Sequence, residues 1–241
     1  MAALLRHCGI EFEWMQGVDG RALTDSQRSQ HVDAHRMRRN HHSLVAGEIG
    51  CSLSHIRVYR DIVTRKLPCA VVLEDDMEVS DDFAALLDTR RPDCLAAAVD
   101  LDQPIVIHLM HIERHFRFGT RPVAGGRRVM RPHGGMWSTG AYFITNEAAR
   151  RMAEGLYPVW TVADNWRLIE WHGMARLRNL VPHCAWPGPL GQESSIEPGR
   201  GRPARPPRTL SRALSNLVDE VLVRPLLVTR ARPASHSRPG R

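Results

Sequence analysis

Lysine is nearly absent from this chain: Lys66 is the only one among 33 basic residues, and the rest are arginine. The five cysteines (Cys8, Cys51, Cys69, Cys94 and Cys184) are widely spaced and form no Cys-x-x-Cys pair. That excludes a zinc ribbon or a dithiol redox motif and leaves reduced thiols as the expectation. No window reaches the roughly 20 apolar residues of a membrane-spanning helix, and the first residues lack the charged, apolar, small-residue order of a secretion signal. A cytoplasmic location is therefore expected. Aromatic residues are scarce at 6% and are not interleaved with arginine as base-stacking platforms are. With no helix-turn-helix or zinc-finger spacing either, specific nucleic-acid binding is ranked low despite a net charge of +7.

At 241 residues and 43% hydrophobic content, the chain can bury one sizeable core with a peripheral segment besides. Its excess arginine lies in three stretches, 35–42, 114–131 and beyond 200, which favours anionic partners such as phosphorylated sugars or acidic lipid. Residues 1–8 read as the end of an amphipathic helix and Ile10 to Met15 as a short strand, with a polar loop over 24–42 that holds at most a short helix. Apolar spacing predicts a helix from Ile49 to Arg65. Cys69 to Leu73 is a short apolar run that stops at Glu74, Asp75 and Asp76, the pattern of a buried parallel strand whose carboxyl end meets solvent. Ser80 is read as the cap of a helix over 81–88. Further strands are expected at Ile105–Met110, Gly140–Thr145 and 176–181, and an Arg-rich hairpin or loop at 114–131. Asn146 is read as the cap of a helix over 147–154, and another helix is expected over Ala163–Trp171. Alternating strands and helices predict an α/β domain over 1–198 with a mostly parallel central sheet. An Arg/Pro-rich tail follows over 199–241, carrying a basic amphipathic helix at 210–228 suited to an anionic membrane surface.

The three adjacent acids are the sharpest chemical feature. Like charges repel, so an apolar strand gains nothing structurally by ending on them. A hard divalent cation resolves the conflict, because Mg²⁺ or Mn²⁺ takes carboxylate oxygens together with substrate phosphates. The plain alternative is an exposed acidic turn. GEIGCSLSHIRVYRDIV (47–63), AVVLEDDMEVSDDF (70–83), STGAYFITNEAARRM (138–152), ADNWRL (163–168), VPHCAWP (181–187) and QESSI (192–196) follow in order. In that order the chain resembles glycosyltransferase family 25, which includes lipooligosaccharide galactosyltransferases.

The resemblance implies a GT-A-like nucleotide-sugar fold with a Mn²⁺ or Mg²⁺ cofactor. It also implies inverting transfer of a sugar, commonly galactose, from a UDP-sugar donor to a glycan or lipid-linked oligosaccharide acceptor. By the same resemblance Glu74, Asp75 and Asp76 are the metal and diphosphate site, with Asp76 the direct ligand. Asp164 is then the candidate base or acceptor-binding acid, read alternatively as a helix-capping residue. Gly47, Gly50, Ser54 and His55 border the donor, and Gly140 and Tyr142 shape its pocket. Cys51 and His55, four apart, read alternatively as one buried helix face. Family members open with a further apolar strand that nothing here matches. The rival expectation is a family member that keeps the fold and binds glycan without turnover.

Overall fold

A six-stranded sheet organises the computed structural model, which describes residues 2–40, 43–189 and 219–231. Among the described residues the strands are β1 (Cys69–Leu73), β2 (Met77–Val79), β3 (Ile105–His108), β4 (Arg114–Phe116), β5 (Arg121–Val123), β6 (Arg127–Met130), β7 (Ala141–Thr145), β8 (Arg176–Val181), β9 (Ala185–Pro187) and β10 (Val228–Arg230). The central sheet has the order β1-β7-β3-β8-β6-β5, while β2 pairs with β9 and β4 with β10 apart from it. Among the described residues, only β3 and β8 form a parallel ladder; the other ladders are antiparallel. The expected mostly parallel sheet is thus corrected to a mostly antiparallel one. The physical reason is β7, which inserts between β1 and β3 and runs against both. β1, β3 and β8 still point the same way, so their carboxyl ends share one edge of the sheet with the start of β7.

Helices flank this sheet: α1 (Ala2–His7), α2 (Asp25–His31), α3 (Ala34–Arg39), α4 (Ala46–Thr64), α5 (Phe83–Leu87), α6 (Asn146–Gly155), α7 (Trp166–Trp171) and α8 (Arg224–Leu227). Alternation along the strands sorts their side chains into two cores. Val106, Tyr142, Ile144 and Leu177 face Ile49, Leu53, Ile56, Tyr59 and Ile62 of α4, with Met152 and Trp166. Ile105, Ile107, Ala141, Phe143 and Leu180 face Met77, Val79, Phe83 and Leu86 on the other side. The helical periodicity of 49–65 is what α4 buries, and its first turn is closed by Glu48 Oε2 accepting from the Val45 amide at 3.0 Å.

Several local expectations shift. β1 is not a buried inner strand: all five residues are half-buried, and among the described residues it pairs with β7 alone. Ile10 to Met15 forms no strand, and 24–42 holds two short helices where at most one was expected. The cap of α6 is Thr145, whose hydroxyl accepts from the Ala148 amide. Asn146 instead donates to the Ile62 and Leu67 carbonyls and ties α6 to the end of α4. The N-cap of α5 is Asp82 rather than Ser80, whose carbonyl accepts from the Phe83 amide in the turn before the helix, so α5 starts two residues later than expected. In the tail, 219–223 forms a π-helical turn before α8, and Val228 begins β10 on β4 rather than continuing a helix. The rest of the expected 210–228 helix, and the QESSI segment, lie outside the described residues.

Candidate functional site

Alternation along β1 decides where the acids point. Ala70 and Val72 face the α4 side, and Cys69, Val71 and Leu73 the opposite core. One further step sends Glu74 toward α4. Its amide donates to the Gly140 carbonyl at 2.8 Å, extending the β1–β7 ladder by a residue. Its Oε1 accepts from Thr139 Oγ1 at 2.6 Å and lies 3.3 Å from His55 Nε2. His55 Nδ1 lies 2.7 Å from the Tyr142 hydroxyl, which in turn donates to the Tyr59 hydroxyl at 3.2 Å. With that proton spent on Tyr59, the Tyr142 oxygen accepts from His55, so Nδ1 carries hydrogen.

His55, Tyr59 and Tyr142 are buried. Burial alone pushes the His55 imidazole down, but bonds to Cys51 and Glu74 outweigh it and lift its pKa to about 9. Burial likewise pushes the Glu74 carboxyl up, and the His55 and Thr139 bonds overcome that and hold it below the usual carboxylate range. Cys51, one helical turn before His55, is exposed and completes a cluster in which one donor atom from each of Cys51, His55 and Glu74 lies within 4.8 Å of the others.

The next two acids differ. Asp75 is exposed and Asp76 half-buried. Asp76 Oδ1 is shut off from solvent without a hydrogen-bond partner, and burial, then the Glu74 charge, pushes its carboxyl above the usual range. An orphaned, charge-crowded oxygen of this kind is satisfied by a hard cation, so the residues present fit the divalent metal that the family resemblance implies.

Asp164 reaches the same edge from the start of α7, but the residue that caps this helix is Asn165. Asp164 Oδ2 accepts from the Ser138 amide at 3.2 Å. Ser138 has a φ of 73°, a left-handed conformation that needs support outside glycine. The support is local: the Ser138 carbonyl accepts from Trp166 Nε1 at 2.9 Å and from His108 Nε2 at 3.1 Å, and its hydroxyl accepts from the Gly140 amide. Burial holds His108 below the ordinary imidazole range, against the pull of its backbone bonds. This fixed bend presents Thr139 to Glu74. A Cβ on Gly140 would stand 2.6 Å from Met77 Sδ, so a larger residue there would require the Met77 side chain to shift.

The structure therefore gathers Glu74, His55, Tyr142, Gly140 and Asp164 around one bend. Ser54 and Gly50 are engaged elsewhere. Ser54 Oγ accepts from the Val18 amide and donates to the Gly50 carbonyl, both at 2.8 Å. A Cβ on Gly50 would meet the Val18 carbonyl at 2.4 Å, whereas one on Gly47 would meet nothing within 4 Å. Thr139, Ser138 and Tyr59 are site residues that the motifs did not single out. Thr139 sits beside Glu74 only because β1 and β7 pair antiparallel, and periodicity does not report strand pairing. Two surface hollows, one beside Arg60, Arg150 and Tyr157 and one beside Phe116, Arg178 and Leu227, are lined by none of these residues.

Comparison with known proteins bears on the same segment. The family model described as "Glycosyltransferase family 25 (LPS biosynthesis protein)" matches residues 1–166. Procollagen galactosyltransferase 1-B of Xenopus laevis is 28% identical over 156 residues, covering 63% of this chain and 25% of that protein. Procollagen galactosyltransferase 2 of Mus musculus is 26% identical over 147 residues, covering 59% of this chain and 23% of that protein. Inactive glycosyltransferase 25 family member 3 of Mus musculus is 32% identical over 106 residues, covering 42% and 18%. The chain thus spans a quarter or less of the length of these curated relatives. With more than half of its residues under the family model, which runs through the acid cluster and the Ser138 bend, the chain belongs to glycosyltransferase family 25.

Proposed function

We propose that this chain is a metal-dependent glycosyltransferase that moves a sugar, galactose in the first instance, from a UDP-sugar to a glycan acceptor. The observation that carries the reading is the orphaned Asp76 oxygen beside exposed Asp75, at the sheet edge where β1, β3 and β8 end. Ligands of α/β sheets collect at such carboxyl ends. Asp75 and Asp76 would hold the divalent cation, and Glu74 forms the inner wall, held by His55 and Thr139. A cation held there by Asp75 and Asp76 would supply neutralisation of the charge on a departing diphosphate.

Asp164 and Glu74 bond to adjacent residues of one bend, so a second carboxylate stands near the first with a separate task. We assign it the proton of the acceptor hydroxyl, or a grip on the acceptor itself. One such base suffices for inversion at the anomeric carbon. The acceptor is a lipid-linked or other cell-surface glycan on this reading, and the basic C-terminal segment, with Leu226 and Leu227 exposed, would rest on anionic membrane. Equal sedimentation with anionic liposomes by the full chain and by one ending at Pro198 removes that last element.

The test is hydrolysis or transfer of UDP-galactose with Mn²⁺. Turnover that is abolished by Asp76→Ala supports the enzyme. Glycan binding without turnover, with or without metal, supports instead a non-catalytic role like the one that "inactive" denotes in the name of the mouse relative.

A further inference from the structure

Beside the oxygen-rich acid loop stands a second set of donors of different chemistry. Cys51 and His55 lie one turn apart on one face of α4, and Glu74 comes from the end of β1. One donor atom from each lies within 4.8 Å of the other two. The donors are a thiol, an imidazole and a carboxylate, a mixture that suits a borderline-soft ion far better than Mg²⁺ or Mn²⁺.

The shell behind these donors is already built. His55 Nδ1 is bonded to the Tyr142 hydroxyl at 2.7 Å, and Tyr142 to Tyr59, all buried. That fixes the ring and leaves Nε2 facing Glu74 at 3.3 Å. Thr139 donates to Glu74 Oε1 at 2.6 Å and fixes the carboxylate from the other side. Orientation of a histidine ligand through its far nitrogen, and of a carboxylate ligand through a hydroxyl, is what outer-shell partners do at metal centres. The exposed thiol of Cys51 gives the cluster a path to solvent.

We infer that Cys51 Sγ, His55 Nε2 and Glu74 bind a thiophilic divalent cation, Zn²⁺ foremost, as a three-ligand site with its fourth position open. Binding displaces both the thiol proton of Cys51 and the Nε2 proton of the His55 imidazolium, and the thiolate, the carboxylate, the neutral imidazole and the ion then sum to no net charge. The site is separate from the hard-cation site of Asp75 and Asp76 and borders it through Glu74. It stands whether or not the chain transfers sugar.

The experiment uses the full chain, stripped with chelator, and metal alone, with no nucleotide-sugar present. Titration with Zn²⁺ should show one tight site per chain. Cobalt(II) in its place should give a thiolate-to-metal charge-transfer absorption. Cys51→Ser, an exposed substitution, should abolish that absorption and weaken zinc by more than the roughly 10–100-fold typical of outer-shell changes. Tyr142→Phe keeps the ring and removes the hydroxyl, and should weaken zinc by roughly 10–100-fold while keeping the absorption. The double change Asp75→Asn, Asp76→Asn should keep the absorption and weaken zinc far less than Cys51→Ser does. Tight zinc binding that survives Cys51→Ser, a cobalt complex without the thiolate absorption, or loss of zinc on changing Asp75 and Asp76 would each overturn the assignment. Because no donor is added, none of these results bears on turnover.

Discussion

Gly50 and Gly47 sit one turn apart on α4, yet they face different surroundings. Alanine at Gly50 would drive a methyl into the backbone of residues 18–20, whose atoms stand 2.4 and 2.5 Å from it. Backbone on both sides leaves little room to yield, and such overpacking costs about 3 kcal/mol against a helix gain of about 1 kcal/mol. Gly50→Ala is therefore expected to destabilise the chain by about 2 kcal/mol in denaturant unfolding, the difference of those two effects. Gly47→Ala meets nothing within 4 Å and should raise stability by up to about 1 kcal/mol, and weaker UDP-sugar binding by that variant would place the donor against Gly47. His55 supplies a pH signature. Its folded pKa of about 9 exceeds its ordinary value of 6.5, so the stability it contributes is complete below pH 6.5 and is lost as pH rises through 9. With chelator present, the melting temperature should fall across that window, and His55→Gln should flatten the fall.

At the scale of elements, the Arg-rich hairpin of β5 and β6 is tied to the loop after β2. The Arg127 guanidinium, nearly buried, pairs with Asp82 and donates to Ser80 Oγ at 3.2 Å. Burial pushes the Asp82 carboxyl up, but the Arg127 and Ser80 bonds prevail and hold it below the usual range. That contribution is present at neutral pH and lost as pH falls through the lowered value. Breaking a fully buried pair costs about 3–5 kcal/mol. Asp82 is partly exposed, which brings the expected loss for Asp82→Asn down to about 1–3 kcal/mol. A loss under half of that range's lower bound would show that Arg127 finds water instead.

The same scale shows what could be read in advance. The wholly buried runs at Ile105–His108 and Ala141–Thr145, and the α4 periodicity, announce their elements because burial is written in residue type. Strand direction is not, since a short apolar run reads the same in parallel and antiparallel ladders. Hence β1 could be located from CAVVL while its edge position and its antiparallel partner could not. The acid cluster was legible as three charges. The division between inward Glu74 and orphaned Asp76 was not, because it depends on His55 from α4 and Thr139 from the bend before β7.

For the molecule as a whole, the C-terminal segment is part of the folded body rather than a free tail where it is described. β10 adds a strand to β4, Arg117 donates to the Leu227 carbonyl at 2.8 Å, and His133 meets Asp219 at 2.8 Å. A chain ending at Pro198 should lose hydrogen-exchange protection at the Arg117 amide while β3 and β7 keep theirs. Unchanged protection there would mean that β10 does not hold β4 in solution. The central claim concerns the carboxyl end of β1, where Asp75 and Asp76 would grip a cation that grips a diphosphate. Its most direct test is thermal unfolding with UDP-galactose, with and without Mn²⁺. At a donor concentration 100-fold above Kd, binding adds about 2.7 kcal/mol and should raise the melting temperature by about 5–10 °C. The rise should require Mn²⁺ and vanish in Asp76→Ala. A rise that is equal without metal, or that survives Asp76→Ala, contradicts the account.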